Sequence, residues 1–342
     1  MKKKDFAKTN EIIIMKNKIS YADKIFIAGA RGMAGSSIYR IFRESGYGKK
    51  EYGGEILSPS KSKLNLLNQT EVNTWFKIHR PSVVIIAAAK VGGIIANSTK
   101  SADFLLENIK IQTNIIESAW RFDCKRLLFL GSSCIYPKYS EQPIKEEYLL
   151  NGSLEITNEC YAIAKITGIK LCESLRHQYG FDAISLMPTN LYGPGDNYHP
   201  ENSHVMASLL MKFINAKRNS LKKVTCWGTG SPLREFMHVD DLSKAVLFAL
   251  EKWDPKDKHA PVDNRNKPLS YLNVGSGDEI SIKDLASKIA SYVNYEGEIL
   301  WDSSKPDGTP RKRLDNEKIF SLGWRPTIKL DDGIKNTIKN LI

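Results

Sequence analysis

A chain of 342 residues, 42% hydrophobic and 26% charged, is long enough for one large α/β domain plus a smaller lobe, and its composition excludes wholesale disorder. The formal charge of +12 suits nucleic acid or a polyanionic small ligand. No zinc-finger spacing, RNP-like motif or aromatic-interleaved basic stripe accompanies it, so no nucleic-acid partner is expected and most of the charge reads as solvated surface.

The first segment, 1–22, is a basic extension: its first twenty residues hold six lysines against Asp5 and Glu11, a net +4. The apolar patch 12–15 is too short for the hydrophobic region of a signal peptide, and Met15 reads as an alternative start that makes the preceding segment an appendage. Residues 24–28 predict a buried strand, followed at once by a glycine-rich turn and a helical run to Glu44 that Gly46 stops. A short strand at 55–57, a helix at 70–79, a β-rich run at 82–87 and a loop at 88–93 come next. A helix at 104–122, a strand at 126–130, a long helix at 161–179 ending at Gly180 and a strand at 183–187 complete the regular alternation. Such alternation predicts a mainly parallel sheet covered on both faces. From about residue 190 it breaks up, and Ser281 with Asp284 three residues on marks a later helix start. The longest apolar run, 83–89, is too short for a bilayer, so no membrane association is expected. Five cysteines (Cys124, Cys134, Cys160, Cys172, Cys226) without a C-x-x-C pair argue against a disulfide framework and a zinc site. No metal is expected, and a reducing cytoplasm is the expected compartment. A second basic cluster, Arg311-Lys312-Arg313, lies near the end.

Gly29, Gly32 and Gly35 stand between the first strand and its helix. The first permits the tight turn, the second lets a pyrophosphate approach the backbone, and the third lets helix and sheet pack closely, with helix N-terminal amides facing the phosphates. In that setting G-x-x-G-x-x-G predicts a dinucleotide site. A site that prefers NAD carries an acid at the end of the second strand. Here Ser58-Pro59-Ser60-Lys61 offers none, and Arg31 and Lys61 are positioned for a 2′-phosphate, so NADP is expected. Tyr161 and Lys165 are four apart and share a helix face. A tyrosine with a pKa of about 10 works near neutrality when a neighbouring ammonium lowers it, and the same lysine can hold the nicotinamide ribose. Ser132 and Ser133 follow a strand end, where a hydroxyl can bond the reacting oxygen of a substrate.

Several longer strings stand in order: AAAKVGGI (87–94), LGSSCIYPK (130–138), YAIAKI (161–166), MPTNLYGP (187–194), NSHV (202–205), REFMHVDD (234–241) and SKPDGTPRK (304–312). The glycine loop, strand-end serines and Y-x-x-x-K together resemble the extended short-chain dehydrogenase/reductase superfamily. From about Lys24 onward these strings resemble the GDP-L-fucose synthase family within it. The resemblance implies a Rossmann-type doubly wound parallel sheet with a smaller C-terminal α/β substrate lobe. It assigns 23–190 to an NADP-binding domain, with segments around 235–275 returning to it, and 191–342 mainly to substrate binding. It further implies a two-step conversion of a GDP-linked keto-deoxy sugar, 3,5-epimerisation and then 4-keto reduction by NADPH.

By the same resemblance Cys134 removes the C3 and C5 protons, His204 returns them from the other face, and Ser132, Tyr161 and Lys165 serve the reduction. The cofactor positions implied are Gly29, Arg31, Gly32, Met33, Gly35, Lys61, Leu130, Ser133, Lys165, Pro188, Asn190, Leu191 and His204. The substrate positions implied are Trp227, Arg234, Asp307 and Lys212, the last where the family often has arginine. The insertion at 47–54 departs from the family pattern. His238 reads as structural, and His79, His177, His199 and His259 carry no signal. A homodimer through the helices 103–122 and 161–179 is expected. The alternatives are a GDP-keto-heptose reductase, an NAD-dependent 4-epimerase and a non-catalytic NADP-binding regulator, though decay to the last should have eroded Tyr161, Lys165, Ser132, Cys134 or His204.

Overall fold

Strands apolar on both faces need cover on both faces, and the first half of the chain supplies it by alternating strand with helix. The structure, a computed structural model, describes residues 17–199 and 203–342; the lysine-rich start with its 12–15 patch, Met15 and Asn202 lie outside the described residues. In chain order come β1 (Lys24–Ala28), α1 (Met33–Glu44), β2 (Glu55–Leu57), α2 (Gln69–His79), β3 (Val83–Ile86), α3 (Ile94–Thr99), α4 (Ser101–Arg121), β4 (Arg126–Leu130), α5 (Glu159–Tyr179) and β5 (Ala183–Pro188). Every residue of β3, β4 and β5 is buried. Helix α1 packs with α7 (Val239–Lys252, further along the chain), while α4 packs between α2 and α5.

The second half adds β6 (Asn190–Tyr192), α6 (Val205–Arg218), β7 (Lys223–Trp227), β8 (Leu233–His238), then after α7 β9 (Tyr271–Val274), β10 (Glu279–Ser281) and α8 (Ile282–Tyr292). It ends with β11 (Glu298–Asp302), β12 (Arg311–Lys312), α9 (Glu317–Ser321) and α10 (Leu330–Lys339). The main sheet is parallel throughout, in the order β2-β1-β3-β4-β5-β9, so β9 returns to its far edge. The order reverses between β1 and β3, and the crevice beyond the carboxyl ends of those strands is where such sheets bind ligands. This is the parallel sheet covered on both faces that the alternation predicts, and the doubly wound α/β fold that the family resemblance implies.

A single residue, Thr189, separates β5 from β6, so the chain steps directly into a second sheet. There β8 pairs with β6, β10 and β12, and β7 pairs with β11 apart from it. Phe213, Leu285, Ile289 and Ile334 centre a second apolar core beside α6 and α8, distinct from the one around the parallel sheet. Helix ends follow local chemistry. Asn68 accepts from Thr70 N at 3.0 Å and Glu71 N at 3.3 Å, and Ser281 accepts from Asp284 N at 3.0 Å. Gly180 closes α5 in the left-handed region at φ 71°. Helix α5 begins at Glu159, two residues before the expected start, because the 3-10 turn Ile156–Asn158 runs straight into it. No helix among the described residues is long and apolar enough to cross a membrane.

Candidate active site

Two of the three loop glycines are demanded by the fold. A Cβ on Gly29, whose φ is +86°, would lie 2.6 Å from the Ala88 amide nitrogen, and one on Gly35 would lie 2.1 Å from the Gly29 carbonyl oxygen. Gly32 is different. A Cβ there would meet nothing nearer than the Gly29 oxygen at 3.6 Å, so the protein's own packing does not require its absence. Gly32 is the N-cap of α1, which has no side-chain cap and no acid in its first turn. The open backbone and uncapped amides form a cradle that fits a dinucleotide pyrophosphate. Met33 begins that helix, and a Cβ on Gly195, after β6, would come within 3.6 Å of Met33 Cα. Arg31 and Lys61 are exposed, and no carboxylate stands in 58–63.

The second group gathers where β4 ends. Lys165 Nζ donates to the Leu130 carbonyl at 2.8 Å and lies 4.8 Å from the centre of the Phe129 ring and 5.8 Å from that of Tyr161. Burial lowers its pKa from 10.5 to about 7. The expected lowering of Tyr161 by this ammonium is not what the surroundings produce. Burial raises the phenol well above its ordinary value, the negative charge of Cys134 adds to that, and the Ser132 hydroxyl alone opposes it. A phenolate buried this deeply is costly, and desolvation is the largest influence on Tyr161.

Ser132 caps the 3-10 turn Ser133–Ile135, its hydroxyl accepting from Cys134 N at 3.2 Å, and Ser133 is buried. Burial would raise the Cys134 thiol, but the charge of Lys312, hydrogen bonding to Ser132 and Lys312, and the charge of Arg234 together bring it below its ordinary value. Burial pushes Cys124 and Cys172 up to about 12 and raises Cys226 as well. His204, the N-cap of α6, keeps exposed surface, yet its crowded ring is held below the ordinary histidine value, first by desolvation and then by Lys312. One ammonium thus acts on both the sulfur and the imidazole.

From the second sheet, Arg234 donates to the Leu233 carbonyl at 2.9 Å and the Asp307 carbonyl at 3.3 Å. The Asp307 carboxylate accepts from Thr229 N at 2.8 Å and Thr229 Oγ1 at 2.7 Å. Trp227 is 46% exposed, with Lys212 Nζ 5.3 Å and Lys305 Nζ 5.7 Å from its ring centre. Lys212 also donates to the Thr225 carbonyl at 2.8 Å. Pro188 ends β5, Asn190 and Leu191 open β6, and the Asn190 amide donates to the Glu235 carbonyl at 2.8 Å. Ser132, Cys134, Tyr161, Lys165 and Arg234 are therefore brought together, while Lys212 and Trp227 form a separate pair. Arg31 and Lys61 contact none of these. His238 caps α7, its Nδ1 accepting from Asp240 N at 3.2 Å, a structural part.

Three residues escaped the sequence reading. Lys312, taken for surface charge, places Nζ 3.5 Å from Cys134 Sγ. Its strand has only two residues, so no periodicity signalled that Lys312 lies opposite Arg234 while Arg311 pairs with Glu279. Glu235 is fully buried and accepts from Gly277 N at 2.7 Å, Leu314 N at 2.9 Å and Asn316 Nδ2 at 3.1 Å, tying β8 to the segment that carries Lys312. Asn158 lines the small cavity shared by Cys134 and Lys312, and its buried Oδ1 has no partner among the described residues.

The model of the NAD dependent epimerase/dehydratase family matches residues 25–262. GDP-L-fucose synthase 1 of Arabidopsis thaliana is 51% identical over 314 residues, covering 92% of this chain and 91% of that protein. GDP-L-fucose synthase of Escherichia coli strain K12 is 48% identical over 314 residues, covering 92% and 95%. Among solved structures, a GDP-mannoheptose C4 reductase from Campylobacter jejuni with NADP bound is similar at a TM-score of 0.83 and 34% identity, over 94% of this chain and 98% of that one. A match of this breadth, on a parallel sheet with its glycine cradle at the switch point, means that the chain belongs to the NAD-dependent epimerase/dehydratase family and, within it, to the GDP-L-fucose synthases.

Proposed function

We propose that this enzyme converts GDP-4-keto-6-deoxy-D-mannose to GDP-L-fucose in one pocket, inverting C3 and C5 and then reducing the C4 ketone with NADPH. The observation that carries the reading is the grouping of two chemistries at the end of β4: Cys134, with Lys312 Nζ 3.5 Å from its sulfur and its amide on the Ser132 hydroxyl at 3.2 Å, and Lys165, on the Leu130 carbonyl at 2.8 Å and 5.8 Å from the centre of the Tyr161 ring. A ketone at C4 acidifies the C3 and C5 protons, and inversion needs a base on one ring face and an acid on the other. Cys134 takes those protons and His204 returns them from the opposite side. The bound dinucleotide supplies the hydride for C4. Tyr161 gives its proton to the nascent oxygen while Ser132 hydrogen-bonds it. Burial that raises the phenol suits this role, because it keeps the proton in place until a stronger oxygen base forms. Lys165 orients the nicotinamide ribose.

Gly29, Gly32, Met33 and Gly35 would hold the pyrophosphate and Arg31 and Lys61 the 2′-phosphate. Leu130, Ser133, Pro188, Asn190, Leu191 and His204 would serve the nicotinamide end. Arg234 offers its planar fork to the GDP diphosphate, and Lys212, beside Trp227, offers a point charge. Trp227 presents a face to the substrate, and Asp307 keeps lone pairs beyond those taken by Thr229. Residues 23–190 with the later return form the cofactor side, and the remainder mainly the substrate side. Exposed Leu106 on α4 and Ile163 on α5 support pairing of two copies across those helices.

Incubation with GDP-4-keto-6-deoxymannose and NADPH should oxidise the cofactor stoichiometrically and yield GDP-L-fucose by chromatography and NMR. In heavy water without NADPH, deuterium should enter C3 and C5, and Cys134→Ser should suppress that exchange more than cofactor binding. Undiminished exchange in the variant would show that the base lies elsewhere. The likeness to the Campylobacter jejuni reductase favours a GDP-keto-heptose as the second reading, and turnover of the two substrates side by side separates them.

A further inference from the structure

We propose that Lys312 is the positioning residue that makes Cys134 a competent base: its ammonium, 3.5 Å from Sγ, keeps the sulfur as thiolate before substrate arrives. The inference rests on the reading of Cys134 as the epimerisation base and supplies what that reading requires, since an ordinary thiol is mostly protonated at neutral pH.

Lys312 reaches the sulfur because its backbone is held on both sides. Strand β12 pairs in parallel with β8, Arg311 opposite Leu233 and Lys312 opposite Arg234. Arg311 turns outward onto Glu279, at 2.9 and 2.5 Å. Past the strand, Arg313 N donates to Gln142 Oε1 at 2.9 Å, Ile144 N to the Arg313 carbonyl at 2.8 Å, and Leu314 N to the buried Glu235 carboxylate at 2.9 Å. No carboxylate pairs with Lys312 among the described residues, so its charge is not neutralised before it meets the thiol.

The groups facing Cys134 come from several elements. Ser132 lies on its own turn, Tyr161 on α5, Arg234 on β8 and Lys312 on β12. Glu155 borders the same cavity, where Lys138 Nζ holds it at 2.9 Å. Lys312 is the first among those that oppose burial. Burial pushes the thiols Cys124 and Cys172, which no lysine approaches in this way, upward, the direction in which burial also drives Cys134.

The test is alkylation of Cys134 by iodoacetamide from roughly pH 6 to 10, followed by peptide mass in the full chain without added sugar, where each unit of pKa is about tenfold in thiolate. Lys312→Met should slow labelling at neutral pH by at least about tenfold and move the midpoint upward, and Lys312→Arg should restore most of it. Deuterium exchange at C3 and C5 should fall with the labelling rate. If Lys312→Met melts below the assay temperature, Lys312→Gln is read in the same way. An unchanged midpoint, with the loss confined to KM for the GDP sugar, would overturn the proposal and leave Lys312 as a substrate-binding charge. A wild-type chain that makes no GDP-L-fucose would instead defeat the functional reading and leave the alkylation profile untouched.

Discussion

Lys165 is 4% exposed and keeps its ammonium on one carbonyl, between two aromatic rings. Burial lowers its pKa from 10.5 to about 7. Between those values the unfolded chain holds a proton that the folded chain has released. The contribution of this group to stability therefore rises with pH, by up to about 1.4 kcal/mol per unit, and is least favourable at and below pH 7. Lys165→Met should remove that dependence. Urea unfolding should find the variant more stable than the parent near neutrality, with the margin shrinking toward pH 10.5, while turnover is lost. The four-residue spacing of Tyr161 and Lys165 was legible because a helix face is a local property. The direction in which Tyr161 shifts was not, because burial depends on what packs over the helix.

At the level of elements, the strand–turn–helix that starts the sheet contains both a glycine that packing requires and one that packing does not. Gly35→Ala forces a Cβ to 2.1 Å from the Gly29 oxygen and should cost at least about 2 kcal/mol in thermal or urea unfolding. Gly32→Ala has 3.6 Å of room and should stay within about 1 kcal/mol of the parent. It should still weaken NADPH, followed by nucleotide fluorescence, by about tenfold or more, because the methyl group occupies the approach to the α1 amides. The parallel strands were readable as apolar runs between turn signals. The second sheet was not, since β6 and β10 have three residues each and β12 has two, too few for periodicity to register.

For the whole molecule, α4 and α5 lie close enough that a Cβ on Gly168 would come within 3.0 Å of Gln112 Cδ. Leu106 and Ile163 remain 55% and 40% exposed beside that contact. If two copies pair there, the double variant Leu106→Lys/Ile163→Lys should sediment as a monomer with a melting temperature near that of the parent; a parent that is itself monomeric would rule the pairing out. Amino-acid order alone was sufficient for the alternation of strand and helix, the glycine turn and the serine and Y-x-x-x-K positions, each a matter of neighbours a few residues apart. Folding in three dimensions settled which charges the site carries. Lys312 arrives at Cys134 from 178 positions away, and Glu235 secures the segment that brings it. Local patterning is silent on such meetings, because the electrostatics of a buried thiol, phenol or amine depends on distant chain that packs against it.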